Sequence, residues 1–514
     1  MMFSIPVFII ICMFGNGIFV NSDSFSKPYY TAAVFEHNRF GSMNDTADDI
    51  IQTNLEFYKK AAEVAKSKEV DIIVFPEYGI VYPTGNRMKL KEFLENIPDP
   101  SKVSSNPCDE TGTFTEVSIL QTLSCIAKDN SLYVVANMGD IQNCKGDPQC
   151  PEDGTYHYNT NVVFDKNGKL ILKYYKEHLC YEFDMDLPQM QQVPIFKTDF
   201  GTFATYTSFD IHFGRMSEVA QRPDIDGIVL PSMWVDVAPQ FNSIQIYQSW
   251  ALGNNCTLIA PNVQIPGYFA VGSGIFHHQR GALAYSYNPD GLSKLVIARV
   301  PKKGFNVPAN PMTIAITNHH SWDWNKNGHH VKMECSRKLL NDTEDIHNEY
   351  RCVEEDTSNY TFVKLIDKSA HLEVCNNGMC CSLDYTTQKL LENFYLGVFN
   401  GTAVMFERYP WSEENCLLVR CEAVGENACA TFPRISKTIF HHVQLKANFT
   451  SQYVYPSLLE SRMALSPKEE WNYELENEGE VYQAKLNFKS QRGRKLTVVG
   501  LKGRCYDRDP PYKR

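Results

Sequence analysis

The sequence predicts two consecutive domains, a layered α/β domain followed by a β-rich domain braced by disulfides. Three observations predict it. Between Tyr30 and Val300, short apolar runs alternate with stretches of helical periodicity. At residues 300–311 (VPKKGFNVPANP) the composition shifts to Pro, Gly and Lys, as expected of a linker. Nine of the 16 cysteines fall after residue 300. A chain of 514 residues, 43% of them hydrophobic, is long enough for two cores. The expected division is a leader over 1–22, an α/β domain over 28–305 and a β-rich domain over 312–514.

The elements follow from local pattern. Thr31 to Glu36 (TAAVFE) reads as a buried strand, and Asn54 to Lys66 carries apolar residues at helical spacing among strong helix formers. Val70 to Phe75 (VDIIVF) is a second buried strand that stops at Pro76. Leu120 to Lys128 reads as helix and Leu132 to Asn137 as strand. Asn161 to Phe164 and Lys169 to Tyr174 flank Asp165-Lys166-Asn167-Gly168, a hairpin turn suited to positive φ. Thr202 to Phe209, Gly227 to Leu230 and Cys256 to Pro261 continue the strands, with a helix over Phe241 to Leu252. Beyond the linker, Tyr360 to Leu365, Phe394 to Phe399, Val481 to Phe488 and Lys495 to Leu501 read as strands separated by turns.

Charge narrows the function classes. The net charge is −11, from 49 basic and 60 acidic residues, with no long basic run. That pattern lacks the electrostatic footprint of a nucleic-acid binder and of a polybasic membrane anchor. No G-x-S-x-G, H-E-x-x-H or G-x-x-x-x-G-K-[ST] is present, which argues against a standard esterase, a zinc protease and a P-loop nucleotidase.

The ends and the cysteines point to export. The apolar run Ile5 to Phe14 has the length of a signal-peptide core, with cleavage expected near Asn21 and Ser22, although no Lys or Arg precedes it. Six Asn-x-Ser/Thr sequons follow, at Asn44, Asn255, Asn341, Asn359, Asn400 and Asn448. The C-terminal KLTVVGLKGRCYDRDPPYKR has no apolar tail, so neither a membrane anchor nor a lipid-anchor signal is expected there. The expected product is secreted. Loss of Cys12 with the leader leaves 15 cysteines, an odd number, so at least one thiol is free or pairs between chains. Such cysteine density in an exported chain means disulfides rather than zinc. The histidine doublets 277–278, 319–320, 329–330 and 441–442 match no metal-ligand spacing, and no metal is expected.

Four segments place a polar group at the end of an apolar run, where α/β folds build sites. They are Phe75-Pro76-Glu77-Tyr78-Gly79, Lys173 to Leu179 followed by Glu182, Tyr206 to Ile211, and Leu230-Pro231-Ser232-Met233-Trp234. Each has a plainer reading alone: Glu77 as a turn carboxylate, Lys176 as a surface lysine, Ser208 as a helix cap, Trp234 as a core residue. Together, a half-desolvated carboxylate is a candidate base and a lysine among aromatics a candidate oxyanion stabiliser.

In this order and spacing the segments resemble the nitrilase (carbon–nitrogen hydrolase) superfamily, and most closely its vanin and biotinidase branch. The resemblance runs through AAVFEH, FPEYG, YNTNVVFD, KEHLCYE, TSFDIHF, LPSMW and VGSGIF, and on through FVKL, VCNNGMCCSLDY and LTVVGLKGRCY. It implies an αββα nitrilase-type sandwich followed by a β-rich domain, and hydrolysis of linear amides of pantetheine or biotin. It implies Glu77 as general base, Lys176 as oxyanion stabiliser and Glu182 as a second, positioning glutamate. Tyr78 and Trp234 are expected at the substrate pocket. The implied partner is a small pantetheine- or biotin-like amide, and no cofactor is called for.

The nucleophilic cysteine of that branch falls at position 208, which here is serine. A thiol near pKa ~8.5 yields thiolate with modest help, whereas a hydroxyl stays protonated beside a carboxylate. Impaired or absent amidase activity is therefore expected, leaving a ligand-binding or interaction role. The alternative is an active amidase in which Ser208 is served by Glu77 and Lys176 together or by His212, or in which Cys180 supplies the thiol.

Overall fold

The computed structural model describes residues 27–42, 44–110, 118–317, 353–406, 408–421, 429 and 435–512. The leader, the sequon at Asn341, the histidine pairs 319–320 and 329–330, and Cys335 and Cys352 lie outside the described residues.

Two sheets face each other in the first domain. The strands Tyr29–Glu36, Ile72–Val74 and Tyr133–Asn143 run parallel at the heart of the first sheet. Thr155–Phe164 and Leu170–Tyr175 extend it antiparallel on one side, and Lys294–Pro301 on the other. In the second sheet Thr202–Thr205, Gly227–Val229 and Thr257–Ala260 are parallel, flanked by antiparallel Ile195–Lys197, Ser273–His277 and Gly281–Ser286. Val34, Ile72 and Val135 of one sheet meet Phe203, Val229 and Ile259 of the other in one apolar cluster. Parallel strands covered on both faces explain why these runs read as continuously hydrophobic.

Helices close both outer faces. Ala47–Ser67 and Ile119–Asn130 cover the first sheet, packing Leu55, Ala61 and Leu123 onto Ile73, Val134 and Phe164. The first of these begins seven residues before the sequence expectation. Thr46 caps it by accepting from Asp49 N at 3.1 Å, and Asp48 and Asp49 complement its dipole. Ser243–Gly253 and Gly214–Ala220 cover the second sheet. The order helix, sheet, sheet, helix is the expected αββα sandwich. The hairpin turn also forms as read, with Gly168 at φ +84°, where a side chain would be strained.

The second domain is a β-sandwich. One sheet orders Thr361–Lys364, Asn393–Met405, Tyr409–Cys421, Leu496–Arg504, Val454–Glu460 and Ala464–Leu465. The other orders Ser369–Asn376, Met379–Thr387, Phe440–Phe449, Tyr482–Arg494 and Trp471–Asn477. Cys381–Cys416 joins the two sheets, while Cys375–Cys380 and Cys421–Cys429 close local loops. Cys108–Cys125 and Cys144–Cys150 brace the first domain. Among the described residues Cys180, Cys256 and Cys505 are outside disulfides.

The sequence assigned residues 312–315 to the second domain. Met312–Ala315 instead pairs antiparallel with Lys294–Pro301 and forms the edge of the first sheet. The proline-rich stretch before it is a connection within that sheet, which a composition shift alone does not distinguish from a linker. The domains meet broadly. Tyr455 and Leu459 of the second pack into the same apolar cluster as Tyr247 and Trp250 of the first.

Candidate active site

Glu77 follows the strand Ile72–Val74, and Lys176 directly follows Leu170–Tyr175. Both leave the first sheet at its carboxyl edge, where strand ends position polar groups without disturbing the apolar layer beneath. Ser208 opens the short helix Ser208–His212 after Thr202–Thr205 of the second sheet. Tyr78 at φ +53° and Ser208 at φ +41° take the left-handed backbone, as does Tyr181 at φ +56°. Left-handed backbone is costly for residues with side chains and is held only by surrounding bonds. For Ser208 one such bond is its N–H to Pro231 O at 3.0 Å.

Glu77, Lys176 and Glu182 form one buried cluster. Lys176 Nζ donates to Glu77 Oε1 at 2.7 Å and to Glu182 Oε2 at 2.5 Å. Asn159 Nδ2 bridges the same two carboxylates, at 2.8 Å to Glu77 Oε1 and 2.6 Å to Glu182 Oε1. Met233 N donates to Glu77 Oε2 at 2.9 Å, and the Tyr78 hydroxyl donates to Glu182 Oε1 at 2.8 Å. Burial pushes the Glu77 carboxyl up against the pull of Lys176, with Glu182 adding to the rise. Burial alone would lower Lys176, but Glu182 and Glu77 outweigh it and hold the ammonium above its ordinary value. The lysine is therefore a fixed positive charge rather than a base.

These groups floor a cavity of about 280 Å³. Tyr78, Ser208 and Trp234 line it, as do Cys180 and His212. Trp234 is fixed by Nε1 donating to Phe241 O at 2.8 Å. The structure thus brings all six sequence-predicted site residues, Glu77, Tyr78, Lys176, Glu182, Ser208 and Trp234, around one cavity. Ser208 is only 5% exposed, and among the described residues its hydroxyl has no hydrogen-bond partner.

The two groups that could substitute for a missing thiol or base are poorly tuned. Burial pushes the Cys180 thiol up to about 12, so it stays protonated. Burial, with Arg504 and Lys502 nearby, holds His212 well below its ordinary value and makes it a weak base.

Sequence reasoning missed three contributors. Asn159 lies in a quoted motif, but only the fold aims its amide at two carboxylates. The Met233 N–H carries no side-chain signal. The second domain supplies Met405 and Phe406 to the cavity wall, from a hairpin more than 190 residues downstream of Ser208. Of the described sequons, Asn44, Asn255, Asn359 and Asn448 are exposed, while Asn400 is half-buried with Nδ2 donating to Asn377 O at 2.9 Å. Among the described residues no helix is long and apolar enough to cross a membrane. Glu373 lies beside Cys375 and Cys380, but those sulfurs are joined in a disulfide and offer no thiolate to a metal.

Comparison with known proteins agrees with this architecture. A carbon-nitrogen hydrolase family model matches residues 43–282 and a vanin C-terminal domain model matches residues 350–509. Human pantetheinase is 30% identical over 506 residues, covering 96% of this chain and 92% of its own. The chain belongs to the pantetheinase–biotinidase family of carbon-nitrogen hydrolases. Human biotinidase is 32% identical to this family member over 511 residues, covering 95% and 91% of the two chains. Among solved structures, an amidase from Nesterenkonia sp. aligns at 18% identity with a TM-score of 0.38, over 53% of this chain and 90% of that one.

Proposed function

We propose that this family member is a secreted, glycosylated binder of a small amide, in which the hydrolytic site persists without an effective nucleophile. In this reading Glu77 is the base, Lys176 the oxyanion stabiliser, Glu182 the group that positions Lys176, and Ser208 occupies the nucleophile's position. The observation that carries it is the intact Glu77–Lys176–Glu182 cluster at the floor of a cavity whose remaining reactive position is an unassisted serine. A serine hydroxyl needs a well-matched base. Lys176 is held protonated by two carboxylates, His212 is too weak, and the Cys180 thiol stays neutral.

The ligand class follows from the relatives, which include a pantetheinase and a biotinidase. A neutral amide with a compact apolar body suits a cavity walled by Trp234, Phe241, Met405 and Phe406. Export is supported by the five described disulfides and by exposed sequons.

The test compares the secreted protein with its Ser208→Cys variant on pantetheine and biotinyl amides, with Glu77→Gln as blank. Turnover by the variant alone supports a silenced hydrolase. Turnover by the natural protein, abolished in Glu77→Gln, makes the serine catalytic and overturns the proposal.

A further inference from the structure

We propose that three buried asparagines, Asn137, Asn159 and Asn161, are positioning residues that hold the Glu77–Lys176–Glu182 cluster in register with the turn carrying Ser208. The inference rests on the reading of those four residues as the site. Its starting point is an anomaly of composition. Val34, Val135 and Val163 make the middle of the layer between the two sheets apolar, yet three amides sit on the same strand faces at exposures of 2%, 2% and 0%. A buried amide is costly unless its donors and acceptor are used.

Here they are. Asn159 Nδ2 donates to Glu77 and Glu182, and Asn159 O accepts from Lys176 N at 2.9 Å, so one residue touches all three members of the cluster. Asn159 Oδ1 accepts from Asn137 Nδ2 at 2.6 Å. Asn137 Nδ2 also donates to Asn161 Oδ1 at 3.0 Å, and Asn137 Oδ1 accepts from Tyr78 N at 3.2 Å, at the left-handed residue after Glu77. Asn161 Nδ2 then leaves the first sheet. It donates to Thr205 Oγ1 at 2.9 Å and to Tyr206 O at 3.0 Å, the segment that leads into Ser208.

Strand geometry makes the ladder possible. Asn159 and Asn161 are two apart on one strand and share a face, and Asn137 pairs in register with Asn161 on the next. An apolar side chain could occupy the space, but only a donor-bearing, uncharged group spans carboxylates at one end and backbone at the other. Amides do not titrate, so the register holds at every pH at which the protein folds.

The test uses position 208 as its own reporter. Cys180→Ser is present throughout so that one cavity thiol reacts, and iodoacetamide alkylation of Ser208→Cys is followed by mass spectrometry from about pH 6 to pH 10. Asn161→Leu, which keeps the branched outline without the polar atoms and is distant from the carboxylates, is then added. The expected result is a lowered melting temperature, because Asn137 Nδ2 and Tyr206 O lose a partner, together with an alkylation profile displaced by about half a pH unit or more. A profile superimposable on the parent's overturns the proposal, because a purely structural amide would leave residue 208 untouched. Should Asn161→Leu fail to fold, Thr205→Val removes only the acceptor hydroxyl, and the same two results decide. The readout is independent of turnover. If Ser208→Cys hydrolyses neither amide, the proposed function fails while the alkylation profile still decides the ladder.

Discussion

His212 lies flat against Trp411, with ring centroids 4.6 Å apart and planes inclined by 20°. The helix that begins at Ser208 is thus wedged by a side chain of the second domain, and Arg504 Nη2 adds a hydrogen bond to His212 O at 2.9 Å. Trp411→Ala removes a fully buried indole and leaves a void beside the cavity. The expected loss is about 3–5 kcal/mol by chemical denaturation, together with weakened ligand binding by calorimetry.

A second prediction concerns charge. Lys502 pairs with Glu413 at 2.6 Å, both almost fully buried at the domain interface, and its ammonium lies 4.1 Å from the Phe241 ring centroid. Lys502→Met alone strands a buried carboxylate and should destabilise by about 3–5 kcal/mol. Adding Glu413→Gln should recover most of that loss, since replacing both charges removes the desolvation penalty with the attraction. Urea midpoints of the two single variants and the double variant form the cycle that checks it.

The pH dependence of stability has an identifiable contributor in Glu36. Burial raises its carboxyl from 4.5 to about 8, with Lys294 opposing. A carboxyl raised on folding binds its proton more tightly in the native state. Its contribution is therefore full below the unfolded value of 4.5 and is lost as pH rises through about 8. Glu36→Gln keeps the shape and removes the titration, so its melting temperature should fall less between about pH 5 and pH 9 than that of the natural protein.

The thiols should separate by reactivity. Cys180 and Cys256 are both raised to about 12 by burial. Iodoacetamide at neutral pH should leave both unmodified in the folded protein within a time that fully labels them in denaturant. Peptide mapping reads the difference directly.

Removing Cys381–Cys416, which closes 35 residues and ties the two sheets of the second domain, should cost about 2–4 kcal/mol. Cys375–Cys380 closes five residues within one hairpin and should cost less. Thermal melting of Cys381→Ser/Cys416→Ser against Cys375→Ser/Cys380→Ser tests the order.

Much of the first domain was legible because its strands are covered on both faces, so Ile72–Val74 and Thr257–Ala260 are unbroken apolar runs. The strand expected through Phe209 stops at Thr205, because the chain must turn to present Ser208. The second domain is less legible in sequence. Ser369–Asn376 buries few of its residues and Trp471–Asn477 alternates with exposed charges, so neither shows a long hydrophobic run. At the site, strand-end residues were visible as types at the ends of patterns. Asn159, the Met233 N–H and the wall from Met405 and Phe406 were not, because their partners lie far away in sequence.

The cavity's dependence on both domains means that ligand and fold stand in a common equilibrium. Phe241 and Trp234 come from one domain, Met405 and Phe406 from the other, and Tyr181 fastens the seam with its N–H to the Tyr409 hydroxyl at 2.8 Å and its own hydroxyl to Phe406 O at 2.6 Å. A fragment carrying either half alone would lack part of the cavity wall. A ligand bound there would therefore stabilise the junction by mass action, the more so the further its concentration exceeds its dissociation constant.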